Sequence, residues 1–421
     1  MSTINCQLSI KKGVLTLPIT IYSSLLTAIG RYAAPILSFL FLRKTSKYTY
    51  PLRSFAMLTL LQLLFACSYA LGQPRKIAFS VLWGFGGLAA AGCALYLFKN
   101  LHRNTLFALY LCTLGMCVIS TVCPEEAPKQ VFAVFLGIGL YFWLKMALGG
   151  RKWSKVAGYV LIIGGIWLLW AVLLLGREQN GARSWLYFGN FSFQPAELAK
   201  LSLIMAGSMA VAKRERLAFF LYGIGCCLLL CLSGDFGTAL IYFAVLSVLL
   251  FHRSHFLGTG ALLGGGVIGG IAVRTVPRLQ ARFAAWGHIW DDPYGSGYQQ
   301  TKALGGLAAG GLLGLGAGRG EMKRLFSAAS DLAVATLGEQ WGLISVISAV
   351  AAILLLAGGG KKSVYAIGAA VLFLTQTALN FFGMVDFLPF TGVPFPFVSN
   401  GGSAMLCAWG SLAFLEAEDE N

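Results

Sequence analysis

The chain has 421 residues, of which 57% are hydrophobic and only 11% are charged. A soluble globular domain carries about a quarter charged residues, so this composition excludes an ordinary soluble domain. The formal net charge of +16 would suit a nucleic-acid partner, but the basic residues lie in short clusters between apolar segments. That pattern is typical of the inner loops of a membrane protein, and we therefore expect no nucleic-acid partner.

Apolar segments long enough to cross a bilayer recur along the chain and predict an all-α, polytopic integral membrane protein. They fall at about 16–42, 52–72, 76–98, 105–123, 130–150, 156–176, 196–212, 217–233, 236–252, 257–273, 336–358, 364–385 and 401–417. We divide the chain into an N-terminal extension at 1–104 with about three spans, a core at 105–417 with about ten helices, and an acidic tail at 418–421. A polar loop at 274–335 interrupts the core.

Basic clusters in alternate connections predict the orientation of these segments. The clusters that we place in the cytoplasm are Arg43-Lys44-Lys47, Arg151-Lys152-Lys155, Lys213-Arg214-Arg216, Arg253 and Lys361-Lys362. The connections that then lie outside are 124–126, 177–195, 274–335 and 386–400. Two basic pairs, Lys11-Lys12 and Arg75-Lys76, do not fit the alternation. Because the polar, motif-rich connections share one side, we predict a site that faces outward.

The first outer motif runs over 180–185 and continues at 193–200. Pro195 suits the first turn of a helix, so Glu197 and Lys200 lie about one turn apart and can pair on one face. Ionisable side chains are costly in lipid, which favours a position facing an interior cavity. The alternative is an ordinary first-turn acid with a lysine that extends to the membrane surface.

The second and third motifs are short and rich in glycine. Asp235 lies between two glycines where two apolar segments meet, which favours a polar break that lines a cavity. The alternative for Asp235 is a plain turn in which it caps the next helix. The motif at 292–299 includes Tyr298 and Gln299, and its alternative is a surface turn.

The fourth and fifth motifs flank the last spans. Asp331 lies eight residues before Glu339, and alone it would more often be a solvated loop acid. The stretch at 389–403 contains Ser399 among prolines and glycines. Its alternative is a rigid connection between two spans.

Taken together and in this order, the five motifs resemble the SEDS proteins (shape, elongation, division and sporulation), the FtsW/RodA/SpoVE group of bacterial cell-wall polymerases. The resemblance covers roughly 105–417, and the wording of the motifs is nearest to the FtsW and SpoVE branch. It implies a peptidoglycan glycosyltransferase that polymerises lipid II on the outer face of the bacterial cytoplasmic membrane. It also implies that Asp331 is the essential acid and Trp185 the functional tryptophan.

Several positions depart from the pattern of that family. Ala329-Ser330-Asp331 stands where the family usually has His-Thr-Asp, and Gly338-Glu339-Gln340-Trp341-Gly342 stands for Gly-Glu-Glu-x-Gly. Ser399-Asn400-Gly401-Gly402-Ser403 replaces Ser-Tyr-Gly-Gly-Ser, and Gly234 replaces a proline. Asp331 is retained, so the resemblance indicates an active but divergent paralogue.

The implied reaction gives the polar residues their expected roles. Asp331 is the general base that takes the proton of the attacking hydroxyl. Arg183 and Lys200 are the candidates for the positive charge beside the departing pyrophosphate, with a divalent cation, Mg or Mn, as the alternative. Trp185 or Tyr298 stacks on a sugar ring. The remaining candidates for substrate binding are Gln194, Glu197, Asp235, Gln299, Glu339 and Ser399.

The expected partners are lipid II, the polyprenyl-linked glycan strand, membrane lipid and a class B penicillin-binding protein, a transpeptidase. Ala366 and Ala370 form one candidate face for the partner's membrane helix, because small residues four apart permit close approach. The alternative is that this face packs inside the protein's own bundle. Two other functions stay open: a catalytically silent scaffold that recruits the transpeptidase, and a lipid II flippase.

Overall fold

The structure is a computed structural model that describes residues 51–179, 181–189, 191–360 and 362–418. The predicted span at 16–42, the basic cluster at 43–47 and most of the acidic tail lie outside the described residues.

The described chain is mainly helical, and the helices are connected by two short 3₁₀ turns, Pro124–Glu126 and Met322–Arg324, and a small sheet. The helices are α1 Pro51–Ala70, α2 Arg75–Leu97, α3 Arg103–Val122, α4 Ala127–Leu148, α5 Arg151–Leu175, α6 Pro195–Met209, α7 Lys213–Leu232, α8 Phe236–Arg253, α9 His255–Thr275, α10 Pro277–Ala285, α11 Tyr298–Gly310, α12 Ala333–Ala357, α13 Val364–Met384 and α14 Gly402–Leu415. The strands are β1 Arg177–Gln179, β2 Ala182–Phe188 and β3 Phe191–Phe193.

Every predicted apolar segment within the described residues coincides with a helix, so the predicted fold class is confirmed. Ten of these helices are long and apolar enough to cross a membrane. The helices α6 and α14 have 15 and 14 residues and are short for a full span, because a bilayer core requires about 20 residues. The predicted loop at 274–335 is not uniformly irregular, since it contains α10 and α11.

The centre of the bundle is formed by α3 and α13. The apolar window of α3 is 89% buried, and α13 packs against α6, α8, α12 and α14. Ala366 on α13 is only 2% exposed, and Gly368 faces Ile204 of α6. Ala366 therefore lies inside the bundle, as the alternative stated, and is not available to a partner's membrane helix. Ala370 is partly buried against the same core.

The N-terminal hairpin of α1 and α2 packs directly on the core. The Gln62 side-chain amide on α1 donates to the Thr113 hydroxyl on α3 at 2.5 Å. The Phe65 ring lies 5.9 Å from the Trp341 ring of α12. Because a buried polar contact and an aromatic contact both cross the boundary, this part of the extension belongs to the same bundle. The domain boundary at 104 stays a prediction.

The two ends of the bundle carry different groups. At one end, Glu416 after α14 accepts hydrogen bonds from His102, from Lys145 at 3.0 Å and from Tyr141 at 2.8 Å. Burial alone would raise the pKa of Glu416, but the hydrogen bond and charge of His102, with Lys145 and Tyr141, lower it below its usual value. The connections that were predicted to lie outside meet at the other end.

Candidate active site

A cavity of about 610 Å³ lies among those connections, and all four of them line it. The sheet contributes Ser184 and Trp185, the break before α8 contributes Asp235, and the long loop contributes Asp331. Four of the predicted site residues, Trp185, Gln194, Asp235 and Asp331, therefore come together from distant parts of the sequence.

Asp331 lies just before α12, where its side chain reaches the cavity. Burial raises the pKa of this carboxyl group to about 6, and the Arg282 guanidinium and a hydrogen bond with Ser330 act in the opposite direction. A carboxylate with a pKa near the working pH is suited to accept a proton. The alternative, a solvated loop acid, therefore does not describe Asp331, because burial removes much of the water from its carboxyl group.

The backbone around Asp331 is held by α13 and by the connection before α14. The Asn380 side-chain amide donates to the carbonyl oxygens of Asp331 and Val393, each at 2.8 Å. The Ser399 hydroxyl donates to the Ser330 carbonyl at 2.6 Å and accepts from the Phe395 N–H at 2.9 Å. Ser399, expected to bind substrate, is thus placed where it positions the segment that carries Asp331.

Asp235 organises another part of the cavity wall. Its carboxylate accepts a hydrogen bond from the Thr238 N–H at 3.1 Å. Asp235 therefore caps α8, which is one of the two interpretations that the sequence allowed. The same carboxylate accepts from Ser184 and from the Gln194 amide, each at 3.3 Å. Asp235 therefore joins the sheet, the start of α6 and the start of α8 around the cavity.

Two arginines on α10 line the cavity and were missed by the sequence analysis. Arg278 and Arg282 are four residues apart and hence on one helix face. Arg278 donates to the Gly234 carbonyl at 3.2 Å, and Arg282 to the Thr391 carbonyl at 3.4 Å. Burial and the neighbouring Arg278 lower the pKa of Arg282. The signal that would have found them is the i, i+4 pair of arginines at the start of a polar loop.

The other predicted site residues lie outside the wall of this cavity. Glu197 and Lys200 pair at 2.6 Å as expected, and both are buried within α6. The Glu339 carboxylate accepts from the N–H groups of Glu321 and Met322 at 2.9 and 3.0 Å. Tyr298 and Gln299 are exposed at the start of α11, and Arg183 is exposed on β2.

These placements change one expectation about charge. Lys200 was a candidate for the pyrophosphate, but its ammonium group is engaged by Glu197. Periodicity indicates that the two side chains share a face, yet it does not indicate which neighbours enclose that face. Among the described residues, no group of three or more His, Cys, Asp and Glu side chains is arranged to hold a metal ion. A divalent cation beside the pyrophosphate stays a prediction.

Comparison with known proteins identifies the family of this chain. The model of a family of cell cycle proteins, FtsW/RodA/SpoVE, matches residues 106–420. The probable peptidoglycan glycosyltransferase FtsW of Thiomicrospira cyclica is 31% identical over 343 residues, covering 72% of this chain and 87% of the relative. The protein of the same name from Tolumonas auensis is 32% identical over 337 residues, with the same coverage.

Solved structures with this fold include a chain from a peptidoglycan synthase complex that coordinates polymerisation and crosslinking. It has a TM-score of 0.61 and 24% identity, and covers 74% of this chain and 95% of that chain. The rod shape determining protein RodA of Thermus thermophilus has a TM-score of 0.53 and 23% identity, and the match covers 74% of this chain and 94% of the RodA chain. The family match extends over most of the chain and includes every element that lines the cavity, so this protein belongs to the FtsW/RodA/SpoVE family of cell cycle proteins.

Proposed function

We propose that this protein is a peptidoglycan glycosyltransferase that polymerises lipid II into glycan strands on the outer face of the bacterial cytoplasmic membrane. The observation that carries the proposal is Asp331, a carboxylate of raised pKa in a polar cavity at the end of a membrane bundle, beside two arginines. The names of the relatives, which are similar over most of this chain, support the same reaction.

Asp331 supplies the base for this reaction. The 4-hydroxyl of the GlcNAc of lipid II attacks the anomeric carbon of the lipid-linked strand, and Asp331 accepts the hydroxyl proton as the new C–O bond forms. The bond between the anomeric carbon and the pyrophosphate oxygen breaks with inversion, and undecaprenyl pyrophosphate leaves. Because the cavity lies at the ends of the membrane helices, the sugars can enter it while the polyprenyl chains stay in the bilayer.

Arg278 and Arg282 supply the positive charge for the leaving group. Negative charge develops on the pyrophosphate as its bond to the sugar breaks, and guanidinium groups bind phosphate oxygens strongly in a partly enclosed site. Their position on the cavity wall makes them better candidates than Arg183 and Lys200, which lie outside it.

A polymerisation assay tests this function directly. Purified protein in detergent or liposomes is incubated with fluorescent lipid II, and the glycan products are separated on a gel. We expect a ladder of strands. A flippase would move lipid II across liposomes without making strands, and a silent scaffold would leave lipid II unchanged, so the absence of strands would contradict the proposal.

The same proposal includes a partner. One structural neighbour belongs to a complex in which polymerisation is coordinated with crosslinking, and the described residues of this chain form a membrane bundle without a separate domain for crosslinking. A class B transpeptidase is the partner that would crosslink the product. Co-purification under mild detergent, with faster polymerisation when the transpeptidase is present, is the expected result.

A further inference from the structure

Phe326 is the most conspicuous side chain that the proposed chemistry leaves unused. It lies five residues before Asp331 and lines the same cavity, yet its relative exposure is 103%. A phenylalanine with no covering contact lacks the stabilisation that burial of its ring would supply. A ring that is fully exposed and also lines the cavity stands at its mouth.

The backbone on both sides of Phe326 is fixed, so its exposure is built into the fold. Before it, the N–H of Met322 is bound by the buried Glu339 carboxylate at 3.0 Å, and Met322 is 2% exposed. After it, Ala328 is fully buried, and its carbonyl accepts from the Thr336 hydroxyl at 2.7 Å. The adjacent Ser327 is 5% exposed. Between Met322 and Ala328, Phe326 is an apolar side chain that points into open space beside the exposed charged residues Lys323 and Arg324.

We infer that Phe326 is a sugar-stacking residue at the mouth of the cavity, where it holds the growing glycan strand beyond the reacting bond. One face of a hexose presents mainly C–H groups, and an aromatic ring covers this face while the hydroxyl groups stay in water. Trp185 on the cavity wall offers a second ring to the same strand. Since the reacting sugar lies beside Asp331, Phe326 contacts sugars that have already been joined. This inference rests on the proposed polymerase function.

Under this inference, Phe326 controls the length of the glycan strands. A strand that is held between couplings is extended again before it dissociates, whereas the first coupling of two lipid II molecules does not need Phe326. An aromatic contact of about 0.5–1.5 kcal/mol corresponds to about a 2- to 10-fold change in the residence of the strand.

The test compares Phe326→Ala, Phe326→Leu and Phe326→Trp in the fluorescent lipid II assay. We expect mean strand length to fall about 2- to 10-fold in the Ala and Leu variants and to stay near that of the unmodified protein in the Trp variant. The initial rate of lipid II consumption should change little. The matched control is Phe387→Ala, because Phe387 is 67% exposed on an outer connection but does not line the cavity.

The Phe326→Leu variant distinguishes stacking on a sugar from insertion of the side chain into the bilayer. If Phe326 served only as an apolar membrane anchor, the Leu variant would keep full strand length, and that result would overturn the inference. Unchanged strand length in the Ala variant would overturn it as well.

A binding measurement keeps the inference testable apart from the reaction. Saturation-transfer NMR with a soluble GlcNAc–MurNAc oligosaccharide should show contact with the unmodified protein and a weaker signal with Phe326→Ala. Equal signals would contradict the inference. Absence of strands from the unmodified protein would instead refute the polymerase function, so the two failures are distinguishable.

Discussion

At the residue scale, opposing influences set the pKa of the Asp331 carboxyl group. Its carboxyl group loses hydration in the cavity wall, which raises its pKa to about 6, while Arg282 limits the rise. Its backbone is held by Asn380 and, one residue earlier, by Ser399. The backbone of the proposed base is therefore fixed, and its carboxyl group is mainly ionised at neutral pH, as a general base requires.

Replacing Asp331 with asparagine should abolish most of the activity. The amide has nearly the same size but cannot accept the hydroxyl proton, so polymerisation should fall by about 10²–10⁴-fold. The assay is strand formation from fluorescent lipid II, with membrane insertion and gel-filtration behaviour as controls for folding. Near-normal polymerisation by Asp331→Asn would refute the assignment and would leave Asp235, another carboxylate that lines the cavity, as the next candidate.

The pH profile of polymerisation should report the environment of Asp331. The base is active when ionised, so activity is present above pH 6 and is lost as the pH falls through about 6. Arg282→Gln removes a positive charge that lowers the pKa of Asp331, so the acidic limb should move to higher pH. Arg282→Lys keeps the charge and should leave the limb in place. A limb that does not move in Arg282→Gln would show that this charge does not act on the base.

At the element scale, the segment between α11 and α12 depends on the shape of α12. Gly342 within α12 has φ of +81°, a left-handed conformation that favours glycine, and a Cβ there would lie 2.1 Å from the Leu312 carbonyl oxygen. The kink lets the chain at 311–316 lie against α12, where the N–H of Leu315 bonds the Glu339 carbonyl at 2.9 Å. Glu339 completes this arrangement with its carboxylate.

Glu339→Ala should therefore destabilise the loop rather than remove a substrate contact. It leaves the N–H groups of Glu321 and Met322 without their acceptor, at a cost of about 1–3 kcal/mol. We expect a lower Tm and faster hydrogen exchange over 318–332. The matched control is Glu321→Ala, whose side chain is exposed and pairs only with Arg324, so its stability should change by less than about 1 kcal/mol. Normal Tm and exchange in Glu339→Ala, together with lost activity, would point to a direct role in the reaction instead.

At the scale of the whole molecule, the orientation in the membrane determines whether the cavity can meet lipid II. Basic clusters in alternate connections predict that the cavity lies outside. Cysteine introduced at the exposed Arg319 should react with an impermeant thiol reagent in intact cells. Cysteine at the exposed Arg214 should react only after permeabilisation. The unmodified chain, with its own cysteines, sets the background. Reversed labelling would place the cavity in the cytoplasm and would exclude polymerisation on the outer face.

The sequence alone determined the helices and the chemistry that the family motifs imply. Hydrophobicity and charge are local properties, so a window of about 20 residues contains enough information to locate a span. The pairing of Glu197 with Lys200 is also local, because residues three apart lie on one helix face. Asp331 was identified through its motif, which is again a short stretch of sequence.

Only the tertiary structure decided which side chains share the cavity. Arg278 and Arg282 share the cavity with Asp331 because α10 folds beside the connection at 386–400, where Arg282 contacts Thr391, a residue about a hundred positions away. The same long-range packing made Ser399 a support for Asp331, placed Glu339 under a loop and enclosed Ala366 within the bundle. Periodicity shows which residues share a helix face but not what covers that face, because the neighbours come from distant parts of the chain.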